Sequence, residues 1–281
     1  MNKLTAKESI KNFLIEDINT GDLSSELVFD SEQRGSGIFL AKDDGIISGM
    51  DIISMTYEVF GDEAAIELFK KDGQAVKKGE SIAKVSGKIR TLLSCERVIL
   101  NLLQRMSGIA TGTRKAVELL DDDTIRICDT RKTTPGLRIF EKYAVTCGGG
   151  FNHRTGLYDG VMLKDNHIAF AGGIKKAVLA VKSRAGHMVK TEVEAESKEQ
   201  VLEAVLAGAD VIMFDNRTPE EIKELSKLVP EHIITEASGG IGFHNIADFK
   251  GCGVNYISMG ALTHTVKPLD ISFNSTIGGK V

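Results

Sequence analysis

The chain of 281 residues has no tryptophan, four tyrosines, four prolines and four cysteines. Nor does it contain an apolar run near the ~20 residues that span a bilayer. Each scarcity argues against a class of protein. Cys95, Cys128, Cys147 and Cys252 lie far apart, without a CxxC pair or a Cys–His metal spacing. A disulfide framework and a structural zinc are therefore not expected, and the thiols read as buried and reduced. The opening segment "MNKLTAKESIKNFLIEDINTGD" carries acids where a signal peptide would be basic and then apolar. It is expected to form an amphipathic helix of a cytoplasmic protein. Positive charge is also in deficit: with a formal net charge of −4, general binding to nucleic acid is not expected, and neither is a membrane partner.

What is present is an ordinary globular composition, 42% hydrophobic and 26% charged. From about Gly35 to Gly87 the chain is punctuated by glycine and rich in β-branched residues, which predicts short strands and turns. The segment "LSCERVILNLLQRMSGIATGTRKAVELL" follows, with Val98, Leu102, Leu103 and Met106 at helical spacing; it reads as a helix hinging two domains. Beyond it strands and helices alternate. The strand candidates are "IRICDT", "VMLK", "VKTEVEA", "VIMFDN", "IITEAS" and "YISMG", and the last four recur every ~22 residues. Successive βα units of that kind close into a barrel with the active site at the C-terminal ends of the strands. Those ends carry Asp129, Arg131 and Lys132, then Lys164 and Asp165, then Glu194, Asp215, Ser238 and Gly260. Solvated loop charge would explain any one of them; a register of six points to a common rim.

The stretch "DTRKTTPGLRIFEKYAVTCGGGFNHRTG" concentrates positive charge in this acidic protein. Arg131, Lys132, His153, Arg154 and Lys164 together suit a polyanion, because guanidinium forks match carboxylates and phosphates while lysine acts as a point charge. The glycine-rich "SGGIG" (Ser238 to Gly242) and "MGALTH" (Met259 to His264) each follow a strand, where backbone amides can grip a phosphate. Glu194 and Asp215 end neighbouring strands and could hold ribose hydroxyls, coordinate Mg²⁺ or stabilise a cationic transition state. No Ser-His-Asp or Cys-His arrangement is evident, and His167, His187, His232 and His244 read as structural or exposed.

The segment from Asp129 to Ile168, "DTRKTTPGLRIFEKYAVTCGGGFNHRTGLYDGVMLKDNHI", resembles the signature of the quinolinate phosphoribosyltransferases, the carboxylating nicotinate-nucleotide pyrophosphorylases. "ERVILNLLQRMSGIAT", "EVEAES", "IMFDN", "EASGGI" and "YISMGALTH" extend the likeness over essentially the whole chain. The resemblance implies an α/β fold: an incomplete C-terminal β/α barrel of the type II phosphoribosyltransferase kind, residues 108–266, with an N-terminal α+β sandwich, residues 1–107, joined by the tail 267–281. It implies a pentosyltransferase of de novo NAD biosynthesis, making nicotinate mononucleotide, CO₂ and pyrophosphate from quinolinate and phosphoribosyl pyrophosphate with Mg²⁺ and no organic cofactor. By position, Arg97, Arg131, His153 and Arg154 match quinolinate-binding residues, and Thr130 stands beside them. Lys132 and Lys164 match basic catalytic positions, Glu194 and Asp215 the acidic pair by the ribose and metal, and Ser238, Gly239, Gly240 and Gly260 the 5′-phosphate loop. His264 matches a histidine at the site's edge. The resemblance also implies a homodimer, or a hexamer built from it, in which Arg97 enters the neighbouring subunit's site. Phe151 before "NHR" is a local departure that touches nothing central.

Two other readings compete. A phosphoribosyl-transfer relative associated with molybdenum uptake shares the barrel but departs at "NHR" and "KDNH", both of which this sequence keeps. "KKDGQAVKKGESIAKVSG" resembles half of a biotinyl or lipoyl carrier domain, yet lacks the "MKM" or "DKA" lysine such a carrier needs.

Overall fold

Asn2 begins the first helix because its side-chain oxygen accepts from the backbone N–H groups of Leu4 and Thr5, which have no partner inside a helix. The computed structural model describes residues 1–276; the end of the tail, 277–281, lies outside the described residues. In chain order the elements are α1 (Lys3–Ile18), α2 (Leu23–Val28), β1 (Arg34–Ala41), β2 (Gly45–Ile46), α3 (Met50–Phe60), β3 (Ala65–Leu68), β4 (Ala75–Val76), β5 (Ser81–Lys88) and α4 (Ile89–Leu120). There follow β6 (Arg126–Cys128), α5 (Arg138–Cys147), β7 (Val161–Leu163), α6 (Asp165–Ala171), α7 (Ile174–Lys182), β8 (Thr191–Ala195), α8 (Lys198–Ala207), β9 (Val211–Asp215), α9 (Pro219–Ser226) and β10 (Ile234–Ser238). A short 3₁₀ turn (Ile246–Phe249), β11 (Tyr256–Ser258), α10 (Ala261–His264) and β12 (Ile271–Ser275) complete the chain.

These elements form two compact units, and the boundary between them falls inside α4. The first unit comprises residues 1–114, 134–149 and 266–281. Its sheet, ordered β12-β1-β5-β3, is antiparallel throughout, and α1 packs on α3 through Ala6, Ile10 and Leu14, one residue per turn. Gly37 is required where β1 meets β12, because a Cβ there would lie 2.2 Å from the ring of Phe273, which packs on Phe39 with 4.8 Å between centroids.

The second unit, residues 115–133 and 150–265, is built on a parallel sheet ordered β6-β11-β10-β9-β8-β7. Among the described residues β6 and β7 do not pair, so the sheet curls as an incomplete barrel, in agreement with the α/β expectation. The predicted strands are all present, each trimmed at its ends. Two features differ from the sequence reading. Residues 138–147, read only as a cluster of charge, form α5, whose Phe140, Ala144 and Val145 are buried in the first unit. Between β10 and β11 the connection is a single 3₁₀ turn and not an α-helix; Ile246 and Phe249, three apart, are its buried residues, which suits the tighter winding.

Parallel strands covered on both faces usually read as continuous apolar runs. Here β8 (TEVEA) and β10 (ITEAS) alternate instead, with buried Glu192 and Glu236 in their midst. That departure locates the chemistry.

Candidate active site

A cavity of about 1170 Å³ opens at the C-terminal ends of the second unit's strands. Ligand sites commonly occupy ~300–1,000 Å³, so there is room for more than one small molecule. Of the residues singled out in the sequence, Thr130, Arg131, Lys132, His153, Arg154 and Lys164 line it on the cationic side. Glu194, Asp215, Ser238, Gly239, Gly240, Gly260 and His264 line the remainder. Arg97 does not line it; it is exposed on α4 in the first unit.

Strand register explains the charge pairing. Leu163 of β7 pairs with Val193 of β8, which sets the next residues, Lys164 and Glu194, side by side, and their side chains form an ion pair. Burial holds the Glu194 carboxyl above its usual range; Lys164 pulls it down, while Asp215 and Glu192 push it up. Asp215 ends β9, opposite Ser238 of β10, and accepts a hydrogen bond from the Asn216 amide at 2.6 Å. Glu194 and Asp215 therefore offer hard carboxylate oxygens from neighbouring strands.

The cationic wall is held by Asp129, which sequence reasoning noted only as a strand end. Its carboxylate is fully buried and accepts from the His153 backbone N–H at 3.0 Å and from the Asn152 amide at 2.5 Å. Phe151 bridges to Cys128, so residues 151–154 run alongside the end of β6. Arg154 donates from Nη1 to the Gly160 carbonyl at 3.1 Å, whereas its Nε is buried with no acceptor among the described residues. Burial first, and then Arg131, holds its guanidinium below the ordinary range. Lys132 is fixed through its backbone: Thr263, fully buried, donates to the Lys132 carbonyl at 2.8 Å.

On the far wall Gly239 and Gly240 both adopt left-handed φ, +87° and +65°. At Gly239 a Cβ would also lie 2.2 Å from Asn216 Oδ1, so no other residue fits. The helical segments after this turn and after Gly260 are four residues each, so the exposed turn backbone, rather than a long helix dipole, is what this wall offers an anion. His264 is exposed at the edge, with Nδ1 2.7 Å from Thr265 Oγ1.

One layer below the floor, sequence reasoning missed a cluster. His153 Nε2 lies 3.0 Å from Glu192 and 3.6 Å from Glu236, both carboxylates almost wholly buried. Burial first, then the Glu192 charge, pushes the Glu236 carboxyl up to about 7. The available signal was the period-2 run Glu192, Glu194, Glu196, which continues the inward face of β8 below the rim.

The cations, acids and turn backbone of this cavity face the comparison with known proteins. Two family models match the chain: the N-terminal domain of quinolinate phosphoribosyl transferase at residues 22–107 and the C-terminal domain at residues 109–274. The chain belongs to this family. Over 280 residues it is 54% identical to a probable nicotinate-nucleotide pyrophosphorylase (carboxylating) of Bacillus subtilis strain 168, covering 100% of this chain and 96% of that one. To the chloroplastic nicotinate-nucleotide pyrophosphorylase (carboxylating) of Arabidopsis thaliana it is 40% identical, covering 95% of this chain and 81% of that protein. Among solved structures it superposes on NadC from Streptococcus pyogenes with a TM-score of 0.93, at 39% identity and 99% coverage of each chain. Among its described residues, no helix is long and apolar enough to cross a membrane.

Proposed function

We infer that this chain is a quinolinate phosphoribosyltransferase, a pentosyltransferase that converts quinolinate and phosphoribosyl pyrophosphate into nicotinate mononucleotide, CO₂ and pyrophosphate in NAD biosynthesis. Beside family membership, the observation that carries this reading is the Arg131–Arg154–Lys164 wall, where burial and then the Arg131 charge hold the Arg154 guanidinium below its ordinary range. Like charges gathered along a partly buried wall repel one another unless a counter-charge lies between them, so the wall calls for an anionic partner. A pyridine dicarboxylate supplies it. The test is a spectrophotometric assay for nicotinate mononucleotide with quinolinate, together with release of one CO₂ per product; no product from quinolinate would overturn the reading.

In this reading Arg131 and Arg154 hold the pyridine dicarboxylate, with His153 lining the same end of the site behind Arg154 and Thr130 at its margin. The turn Ser238–Gly240 and Gly260 hold the 5′-phosphate, with His264 at the edge. Departure of pyrophosphate leaves positive charge on the ribose, which Glu194 and Asp215 stabilise as anions on one side. Lys132 and Lys164 take up negative charge on the leaving group and on the substrate. The pyridine nitrogen attacks the sugar carbon as its bond to pyrophosphate breaks; the quaternised nitrogen then stabilises the electron pair left on the adjacent ring carbon when the C–CO₂ bond breaks and CO₂ departs, and that carbon takes a proton from water, so no organic cofactor is needed. The hard oxygen donors of Glu194 and Asp215 fit Mg²⁺, which when bound with phosphoribosyl pyrophosphate supplies charge neutralisation.

We propose a cytoplasmic enzyme of two domains, residues 1–107 with the tail 267–281 and residues 108–266, assembled as a homodimer or as a hexamer built from three such dimers. Sharing of the site between subunits is supported by Arg97, exposed and outside its own chain's cavity lining. It is also supported by bulky apolar side chains left in solvent, Tyr158 at 81% and Phe170 at 93% exposure. If sites are shared, co-refolding inactive Arg97→Ala and Asp215→Ala chains in equal ratio makes half the dimers mixed, each with one intact site. Activity then recovers to about a quarter of wild type. Recovery near zero, with subunit exchange confirmed by native mass spectrometry, would refute sharing.

A further inference from the structure

The acids beneath the cavity floor define a role for His153 that its exposure to the cavity conceals. Nδ1 of the ring accepts the Arg154 backbone N–H at 2.8 Å, so the ring's proton is on Nε2. There it points at Glu192 Oε2, 3.0 Å away, with Glu236 Oε1 on its other flank at 3.6 Å. His153 thus has both nitrogens committed within the protein. Among the described residues the buried Oε1 of Glu192 has no hydrogen-bond partner, and beside it the Glu236 carboxyl is faced by Ser258; two acids this deeply buried weaken stability and so call for a function.

The three ligand atoms lie within 4.8 Å of one another, close enough to suggest a metal site. The tautomer argues against it. A metal on Nε2 would displace the proton to Nδ1, directly against the Arg154 N–H that Nδ1 now accepts.

Resting on the reading of this site as one for a pyridine dicarboxylate, we propose that Glu192, with Glu236 behind it, is a positioning residue that acts through His153 to set Arg154 for one substrate carboxylate. The path is short. Glu192 orients the imidazole, the imidazole holds the Arg154 backbone N–H, and Nη1 of Arg154 is tied to Gly160 at 3.1 Å, which fixes the guanidinium on the cavity wall. Because a carboxylate remote from the bond being broken is held alike in ground and transition states, the effect falls on binding.

Glu192→Ala is expected to raise KM for quinolinate by roughly 10-fold, with kcat within about 2-fold and KM for phosphoribosyl pyrophosphate unchanged. Glu192→Gln keeps a carbonyl oxygen for the Nε2–H and should restore KM to within about 3-fold of wild type. In a His153→Ala background, adding Glu192→Ala should change KM by less than about 2-fold, since the two act in series. A matching rise in both KM values, failure of Gln to rescue in a protein of unchanged Tm, or a full Glu192 effect without His153 would each overturn the proposal. A substrate-free arm separates it from the functional reading. Long-range ¹H–¹⁵N spectra of the His153 ring at neutral pH should show the Nε2–H tautomer in wild type and mixed tautomers in Glu192→Ala. An Nδ1–H ring in wild type sinks the clamp, whereas lack of product from quinolinate with the expected spectra sinks only the choice of substrate.

Discussion

Lys164→Ala is expected to lower kcat/KM by about 10²- to 10³-fold while the protein stays folded. Charge-assisted contacts in a water-poor site are worth roughly 2–4 kcal/mol in the transition state. The Lys164 side chain is 44% exposed, so its removal leaves no cavity, but its partner Glu194 is only 14% exposed and would be left without a counter-charge. Burial already raises the Glu194 carboxyl, and without Lys164 it rises further, so the anion that steadies the ribose is depleted too. Steady-state kinetics beside thermal unfolding checks this. A fall in Tm that accounts for the lost activity would assign Lys164 a structural role instead.

Quinolinate is expected to be preferred over nicotinate by at least about 10³-fold in kcat/KM. A site made for two carboxylates leaves buried positive groups unpaired when one is missing, and sites with buried unpaired groups discriminate by ~10⁴–10⁵ where every contact is dry. The cavity here is partly open: Lys132 is exposed and water can reach its side of the floor, which is why the lower figure is taken. Arg154, half-buried on the cavity wall beside Arg131, is the group that the missing carboxylate would strand. Competition assays with both acids measure the ratio. Comparable values would place the second carboxylate outside the Arg131–Arg154 wall.

Much of this was written locally. The alternation of Glu192, Glu194 and Glu196 needs only the two-residue repeat of a strand, and the ~22-residue recurrence needs only strand and helix to follow one another in regular lengths. From these, a parallel βα sheet and a rim bearing Lys164, Glu194, Asp215 and Ser238 follow without any knowledge of packing. The left-handed turn at Gly239 and Gly240 is likewise a property of glycine that neighbouring residues cannot supply.

Tertiary structure decided what depends on depth and on partners distant in the chain. Nothing local tells Glu194, on the cavity, from Glu192, one layer down and buried against His153, because their spacing from the strand's end differs by a single repeat. Asp129 acquires its role only when residues 151–154 fold back along β6, and α5 joins the first unit although it is flanked in sequence by the second. His153 shows the limit most plainly. Its sequence context promised another cation for the substrate, but the direction of a ring nitrogen is set by whichever donor or acceptor the fold brings to it, here the Arg154 amide on one side and two buried carboxylates on the other.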